Sequence, residues 1–542
     1  MVADAVFIIV FAFILKVKSR KIVPIKDKIK DHWFVLPILL VVALQLLSIR
    51  YFYTGPVQTI KGPVEVENST YLYPYYSDEW VTVSLVKYTI SSHALPVVNP
   101  LNHDKPFPDV LFVFPSTISE FFLITGLDPL TNYYILQMLV TFVCLISFYL
   151  LLRMYDVNRY ISAVTILGFS YITNSGNLPA MWSLLPVSLS LVFLPWIIMS
   201  QKQGMKNRTL VYSLISLIIY PPIIIFVLPI LAIDLYKNKN KKHTLKVFLV
   251  GVGSFILIFC VTFFYSGLSL GAVFSKYLIR SNLDPGIPDY FVWNILPVFI
   301  VLLSIYGIYL AIRKKYIDLL VPFFVGVIFW SVYLFVNKVF IIEYPRIVLI
   351  VSAFLIIFAG IGLESLIKDG LDKNLLAKIK IKNIEGGRGA VYLCVGIFFV
   401  ALSLVSLSTY ASQTSWKKLN LKIYDVQGKS HLIMPASPIN RYLQSDDLKV
   451  FNGLQGINFL SIPWKGLVVG VAAGNFPLES KSSTISNQIL QYSMFMSMNC
   501  EDKVLAAVKY RIQYVYSAPF SCPKFLEIGK SEEGFVLSSY IH

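Results

Sequence analysis

Two adjacent acids, Asp78 and Glu79, stand in the run Tyr75-Tyr76-Ser77-Asp78-Glu79-Trp80. Carboxylates can take up a proton or ligate a hard cation. Tyrosines precede the pair, and residues 81–92 follow as a predicted helix that ends at His93-Ala94-Leu95-Pro96. Val81, Leu85 and Tyr88 fall on one helical face, which could lie along a membrane surface. Such a pair suits a site at that surface. The plainer alternative is a solvated helix N-terminus, where the helix dipole favours acids. Beyond it the chain reads Asn99-Pro100-Leu101-Asn102-His103-Asp104-Lys105-Pro106-Phe107, a polar loop with further nitrogen and oxygen ligands.

The elements that would carry these residues follow from composition. Hydrophobic residues make up 56% of the 542 and charged residues 14%, a balance that points to a membrane protein. A net charge of +17 could suggest nucleic acid. Its placement argues otherwise, because Lys and Arg sit in short clusters between apolar runs. Spans are predicted at 33–51, 133–153, 160–173, 181–199, 209–220, 223–236, 245–265, 291–312, 319–336, 345–363 and 390–410. Residues 2–15 form an additional short apolar run, with its positive charges after it, unlike a signal peptide. Pro221-Pro222 splits one long apolar stretch into two short helices. Alternating the loops places Arg153/Arg159, Lys202/Lys206/Arg208, 237–246, Arg313/Lys314/Lys315 and 368–388 together on the cytoplasmic side. Residues 52–132, rich in acids, then lie outside.

After residue 411 the long apolar runs stop. Strand-like runs at 448–452, 466–471 and 510–516, with a helix at 501–509, predict an α/β domain on the outer side. Cys500 and Cys522 fall in this domain and form either a disulfide or two free thiols. Cys144, Cys260 and Cys394 read as packing residues. Asn68-Ser69-Thr70 is a glycosylation sequon in the outer loop, and Asn207-Arg208-Thr209 has the same form on the cytoplasmic side.

This layout resembles the C-type (GT-C) membrane glycosyltransferases, which include protein O-mannosyltransferases and the aminoarabinose transferases of lipid A. Asp78-Glu79 match the acidic motif of their first outer loop, and Leu95-Pro96 through Asn99-Pro100 resemble the segment after it. Residues 504–516 and 464–470 look like a recurrent unit of their outer domains. The chain departs from oligosaccharyltransferase catalytic subunits in having no WWDYG-like run, and from the common plan in its extra N-terminal apolar segment. The resemblance implies transfer of a sugar from a polyprenyl- or dolichyl-phosphate donor to an acceptor on the outer face, with inversion. Asp78 is then the base for the acceptor hydroxyl. Glu79 orients it or, with His103 and Asp104, holds a divalent cation such as Mg or Mn. Arg346, in Glu343-Tyr344-Pro345-Arg346, meets the lipid phosphate, unless it snorkels to the interface or pairs with Glu343. Arg280, Lys276 and Lys105 are further phosphate candidates, with a solvated surface as their alternative. Tyr76 and Trp80 stack on sugar or acceptor, or anchor the loop at the interface.

The expected architecture is an all-α polytopic membrane protein with about 11–13 transmembrane helices. Residues 1–410 form the membrane domain, whose loop 52–132 carries the site, and 411–542 form an extracytoplasmic α/β domain. Its expected partners are the bilayer, the lipid-linked donor and a glycan, lipid or protein acceptor, with no nucleic acid. Its expected place is the plasma membrane. A lipid or glycan transporter is the rival reading, but it calls for ionisable residues at the membrane midplane. A non-catalytic assembly protein is the other, and it leaves the acidic loop without a role.

Overall fold

The computed structural model describes residues 35–60, 62–96, 98–103, 105–106, 111–171, 183–237, 298–336, 339–372, 442–480 and 489–541, with short pieces at 249, 253, 256, 279–280, 296, 422–424 and 430–432. The expected spans at 2–15, 245–265 and 390–410 lie wholly or largely outside them. The chain divides into two compact units. One draws on Met1–Ser48, Gln137–Tyr410 and Ser415–Ala436, the other on Ile49–Leu136, Ala411–Thr414 and Ser437–His542.

The first unit is helical. Tyr344–Asp372 is its central helix, buried along residues 347–359, and it packs on Val298–Arg313, Ile317–Val336 and Arg159–Ile166. Glycine permits the closest of these approaches. A Cβ on Gly307 would stand 1.8 Å from the Phe358 carbonyl oxygen, and one on Gly362 would stand 2.4 Å from that of Leu303. On the same pair of helices the Ser304 hydroxyl donates to the Leu355 carbonyl at 2.7 Å. Pro186–Lys202 and Lys206–Ile219 form a hairpin that turns at Gly204 (φ 69°) and is tied by the Ser190 and Ser216 hydroxyls at 2.6 Å. Pro221-Pro222 does break the next stretch, with a 3-10 turn at Pro221–Ile223 before the helix Ile224–Lys237. Among the described residues, two helices are long and apolar enough to cross a membrane, Pro129–Met154 and Tyr344–Lys368.

The second unit joins the acidic loop to the C-terminal segment. Strands Tyr53–Thr59 and Gly62–Ser69 make an antiparallel hairpin in which Thr59 faces Gly62 (φ 103°). The Ser77–Ser92 helix packs on Val113–Thr125 and on Pro463–Ala473. Val81 and Leu85 are therefore buried inside the unit, and do not form a face lying along an interface as their spacing suggests.

The C-terminal segment builds a five-stranded sheet in the order Phe476–Pro477, Asn458–Ser461, Tyr514–Ser517, Val536–Tyr540, Phe525–Lys530. The first three strands are parallel and the last two pair antiparallel. The helix Cys500–Tyr510 precedes its strand as expected, and Cys500 and Cys522 are joined, with Cα atoms 5.3 Å apart. Two expected strands are helical instead. Residues 448–450 close the short helix Ser445–Val450, and 466–471 lie inside the helix Pro463–Ala473. Valine-rich runs read as strand, but Pro463 sits at the first helical turn, where its fixed φ suits a helix. Gly466 and Gly470, one turn apart, let this helix approach Glu479 O and Pro477, where a Cβ would come within 2.5 and 2.9 Å.

Candidate active site

Tyr76 is extended (φ −105°, ψ 151°), and the helix begins at Ser77. Glu79 turns back over this start: its Oε2 accepts the N–H of Tyr75 at 3.0 Å and of Tyr76 at 3.4 Å. The side chain is 0% exposed. A carboxylate is tolerated there because backbone donors and the positive end of the helix dipole replace its water. The Glu79 carboxylate thus builds the helix end.

Asp78, its neighbour, is half-buried in the same first turn. Its carbonyl accepts the Thr82 hydroxyl at 2.8 Å. The Tyr133 phenol is hydrogen-bonded to the Thr82 side chain and feels the charges of both Asp78 and Glu79. Two carboxylates, a phenol and a hydroxyl therefore converge where the helix begins.

Behind them stands a buried guanidinium. Arg50 is 3% exposed, donates from Nη1 to the Tyr73 carbonyl at 2.6 Å, and lies 3.9 Å from the centre of the Tyr75 ring. Tyr75 stacks on Tyr71 (5.5 Å, 21°), and Tyr71 on Tyr442 (5.3 Å, 24°). Burial pushes the Tyr75 phenol up to about 12 against the opposing pull of Arg50, and pushes Tyr71 well above the usual range. Both phenols are therefore neutral at ordinary pH. Lys87, further along the helix, donates to the last carbonyls of Pro463–Ala473, Val471 at 3.0 Å and Ala472 at 3.3 Å. Its burial lowers the pKa of its amine.

Of the residues singled out in the sequence, Tyr76, Asp78, Glu79 and Trp80 come together here. Trp80 is fully buried, and its ring stacks on Tyr73 (6.4 Å, 26°), so it supports the helix from inside. His103 stands apart from them in its contacts: Nε2 bonds the Asn458 amide oxygen at 2.7 Å, and the ring lies 3.9 Å from that of Phe476. Asp104 and Lys276 lie outside the described residues. Among the described residues no three His, Cys, Asp or Glu side chains gather as a metal set. The expected cation set of Glu79, His103 and Asp104 includes Asp104 and so lies partly outside the described residues. Lys105 lies opposite Asn99 in a two-residue strand pair, and Arg280 lies opposite Val339 in another. Arg346 belongs to the helical unit, in the first turn of Tyr344–Asp372, with Glu343 3.7 Å away.

Arg50, Tyr71, Thr82 and Tyr133 escaped the sequence reading. Arg50 carried a signal, since it is a lone cation at the end of an apolar run that leads into the acidic loop. Tyr71, Tyr73 and Tyr75 recur at a spacing of two, which puts alternate rings on one side of an extended chain.

Neither a family model nor a curated protein matches the chain. Among solved structures it is similar to the Archaeoglobus fulgidus oligosaccharyltransferase tethered with an acceptor peptide containing the NVT sequon. The identity is 13%, with 90% of this chain and 69% of that one covered, at a TM-score of 0.49. The same enzyme in complex with Zn and sulfate gives 12%, 89%, 68% and 0.47.

Proposed function

We propose that the chain is a polytopic membrane glycosyltransferase of the C type. It moves a sugar from a polyprenyl- or dolichyl-phosphate carrier to a glycan, lipid or protein acceptor on the outer face of the membrane. The observation that carries this is the division of labour in the acidic pair. Glu79 is sealed into the helix start, and Asp78 stands half-buried in the same turn beside Thr82 and Tyr133, where we assign it the chemistry. In the reaction Asp78 takes the acceptor proton while the acceptor oxygen bonds to the anomeric carbon. The bond from that carbon to the phosphate oxygen breaks on the opposite face, and the lipid phosphate leaves with the electron pair.

The membrane reading has its own support. Leu36, Leu40 and Leu44 are all exposed at a spacing of four, and Leu302, Ile305, Tyr309 and Ile312 are exposed at spacings of three and four along Val298–Arg313. Single exposed apolar residues are ordinary, but whole apolar stripes on apolar helices favour an apolar solvent. The basic clusters, which alternating the loops gathers on one side, support an outer place for residues 52–132. A phosphate-binding role for Arg346, Arg280, Lys276 or Lys105 is a separate proposal, tested by donor binding alone.

The test is sugar transfer by the purified protein in lipid, across a panel of polyprenyl-phosphate sugars. Loss of a general base costs on the order of 10²–10⁴ in rate, and Asp78→Asn is expected to fall in that range while staying folded. Transfer at the wild-type rate in that variant would remove Asp78 as the base. An absence of both transfer and donor binding for the wild type across the panel would remove the glycosyltransferase reading.

A further inference from the structure

The hairpin that leads into the acidic loop contains an irregularity with chemistry attached. Its register pairs Tyr53 with Ser69 and then Gly55 with Val66, so Thr54 alone faces both Glu67 and Asn68. This is a bulge, and Asn68 occupies it with a left-handed backbone (φ 51°). Asparagine tolerates that conformation better than most residues, which by itself accounts for its presence. It does not account for the residue two places on. Asn68-Ser69-Thr70 is a complete sequon, and both Asn68 and Thr70 are exposed. The Ser69 and Thr70 hydroxyls each lie 3.4 Å from a carbonyl of the facing segment, Tyr53 and Tyr51. These contacts steady the tripeptide while the bulge puts Asn68 outside the ladder.

The second sequon is a built-in contrast. Asn207 lies in the first turn of Lys206–Ile219, and Thr209 is buried, its hydroxyl 3.0 Å from Ser200 Oγ and 3.2 Å from the Met205 carbonyl. A hydroxyl held in a helix interior is closed to a transferring enzyme.

We propose that Asn68 is an N-glycosylation site, modified from a lipid-linked donor, and that Asn207 is not. The inference rests on the outer placement of residues 52–132 proposed above. The co-reactant is a membrane-borne polyprenyl (di)phosphate glycan. Nδ2 of Asn68 bonds to C1 of the first sugar, and the C1–O bond to the (di)phosphate breaks. The lipid (di)phosphate leaves with the electron pair, and one amide proton passes to a base of the transferring enzyme.

The full chain is isolated from the membranes of the cells that make it, and the tryptic peptide 62–87, which has no internal Lys or Arg, is weighed. The expected result is glycan mass on peptide 62–87, and none on Asn207 in a chymotryptic digest, since trypsin cuts after Lys206 and Arg208. Asn68→Gln and Thr70→Ala lose the added mass, whereas Thr70→Ser, which keeps the sequon, retains it. Thr70→Ala keeps Asn68 in the bulge and so guards against a folding defect in the first variant. A membrane-impermeant maleimide applied to intact cells carrying Asn68→Cys separates the two ways to fail. Labelling together with a bare wild-type peptide overturns the site and leaves the topology standing. Labelling only after lysis overturns the outer placement and the site with it.

Discussion

Helices of the first unit meet through bare backbone, at Gly307 against Phe358 O and Gly362 against Leu303 O, with Ser304 as a polar stitch. The second unit is held by charges and rings. Lys465 is fully buried between Asp447 and Glu533, with Nζ 2.6 Å from a carboxylate oxygen of each. Lys87 closes one helix end, and Arg50 leans on a stack of tyrosines. The difference fits two solvents. Between helices in lipid there is little hydrophobic gain, so close approach and hydrogen bonds must supply the attraction. A body in water can expel water from apolar surface and use the gain to bury a few paired ions.

The contrast can be broken most sharply at Lys465. Replacing it with Ala strands two buried carboxylates, and about 3–5 kcal/mol of stability in the second unit should be lost, read by denaturant unfolding or hydrogen exchange of the sheet. A smaller loss with Lys465→Ala than with Gly307→Ala would reverse the comparison. Gly307→Ala places a methyl group on the Phe358 carbonyl, and overpacking of this kind costs about 1–3 kcal/mol. Thermal stability in detergent should fall while the second unit's sheet keeps its protection.

A third test sharpens the charge side. Burial lifts the Glu533 carboxyl to about 7, although Lys465 opposes the shift. The folded state therefore holds a proton that the unfolded state has given up between pH 4.5 and about 7. Stability from this group is complete below the lower value and declines as pH rises toward the upper one. A melting temperature that falls over this window, and flattens in Glu533→Gln, is expected. A smaller effect is expected from Glu79→Gln, which weakens the cap by about 1 kcal/mol and should slow sugar transfer less than Asp78→Asn. Equal loss of transfer in both variants would mean that the two acids act together.

Local signals were legible in the chain, and long-range ones were not. The helix after Asp78, the proline break at 221–222 and the helix before 514 follow from spacing and backbone chemistry. The run 466–471 reads as strand because valine favours pleated surfaces, and only Pro463 with two glycines one turn apart marks it as helix. The acidic pair was visible, but its split into a cap and a half-buried acid depends on Tyr75, Tyr76 and Tyr133, and the last of these lies far along the sequence. Lys465 gives no sign of its two partners, which stand 18 and 68 residues away.

The interleaved make-up of the second unit has a consequence for synthesis. Residues 49–136 leave the ribosome early, but the helix that Lys87 closes and the backbone that Tyr71 holds belong to 437–542. Residues 137–436 must be translated in between. The loop must therefore wait, with Tyr71 and Lys87 short of their final partners, until nearly all of the chain has been made. Contacts so distant in sequence close slowly. A nascent chain stalled before residue 437 would thus show proteases and chaperones an unfinished surface, including the turn that carries Asp78.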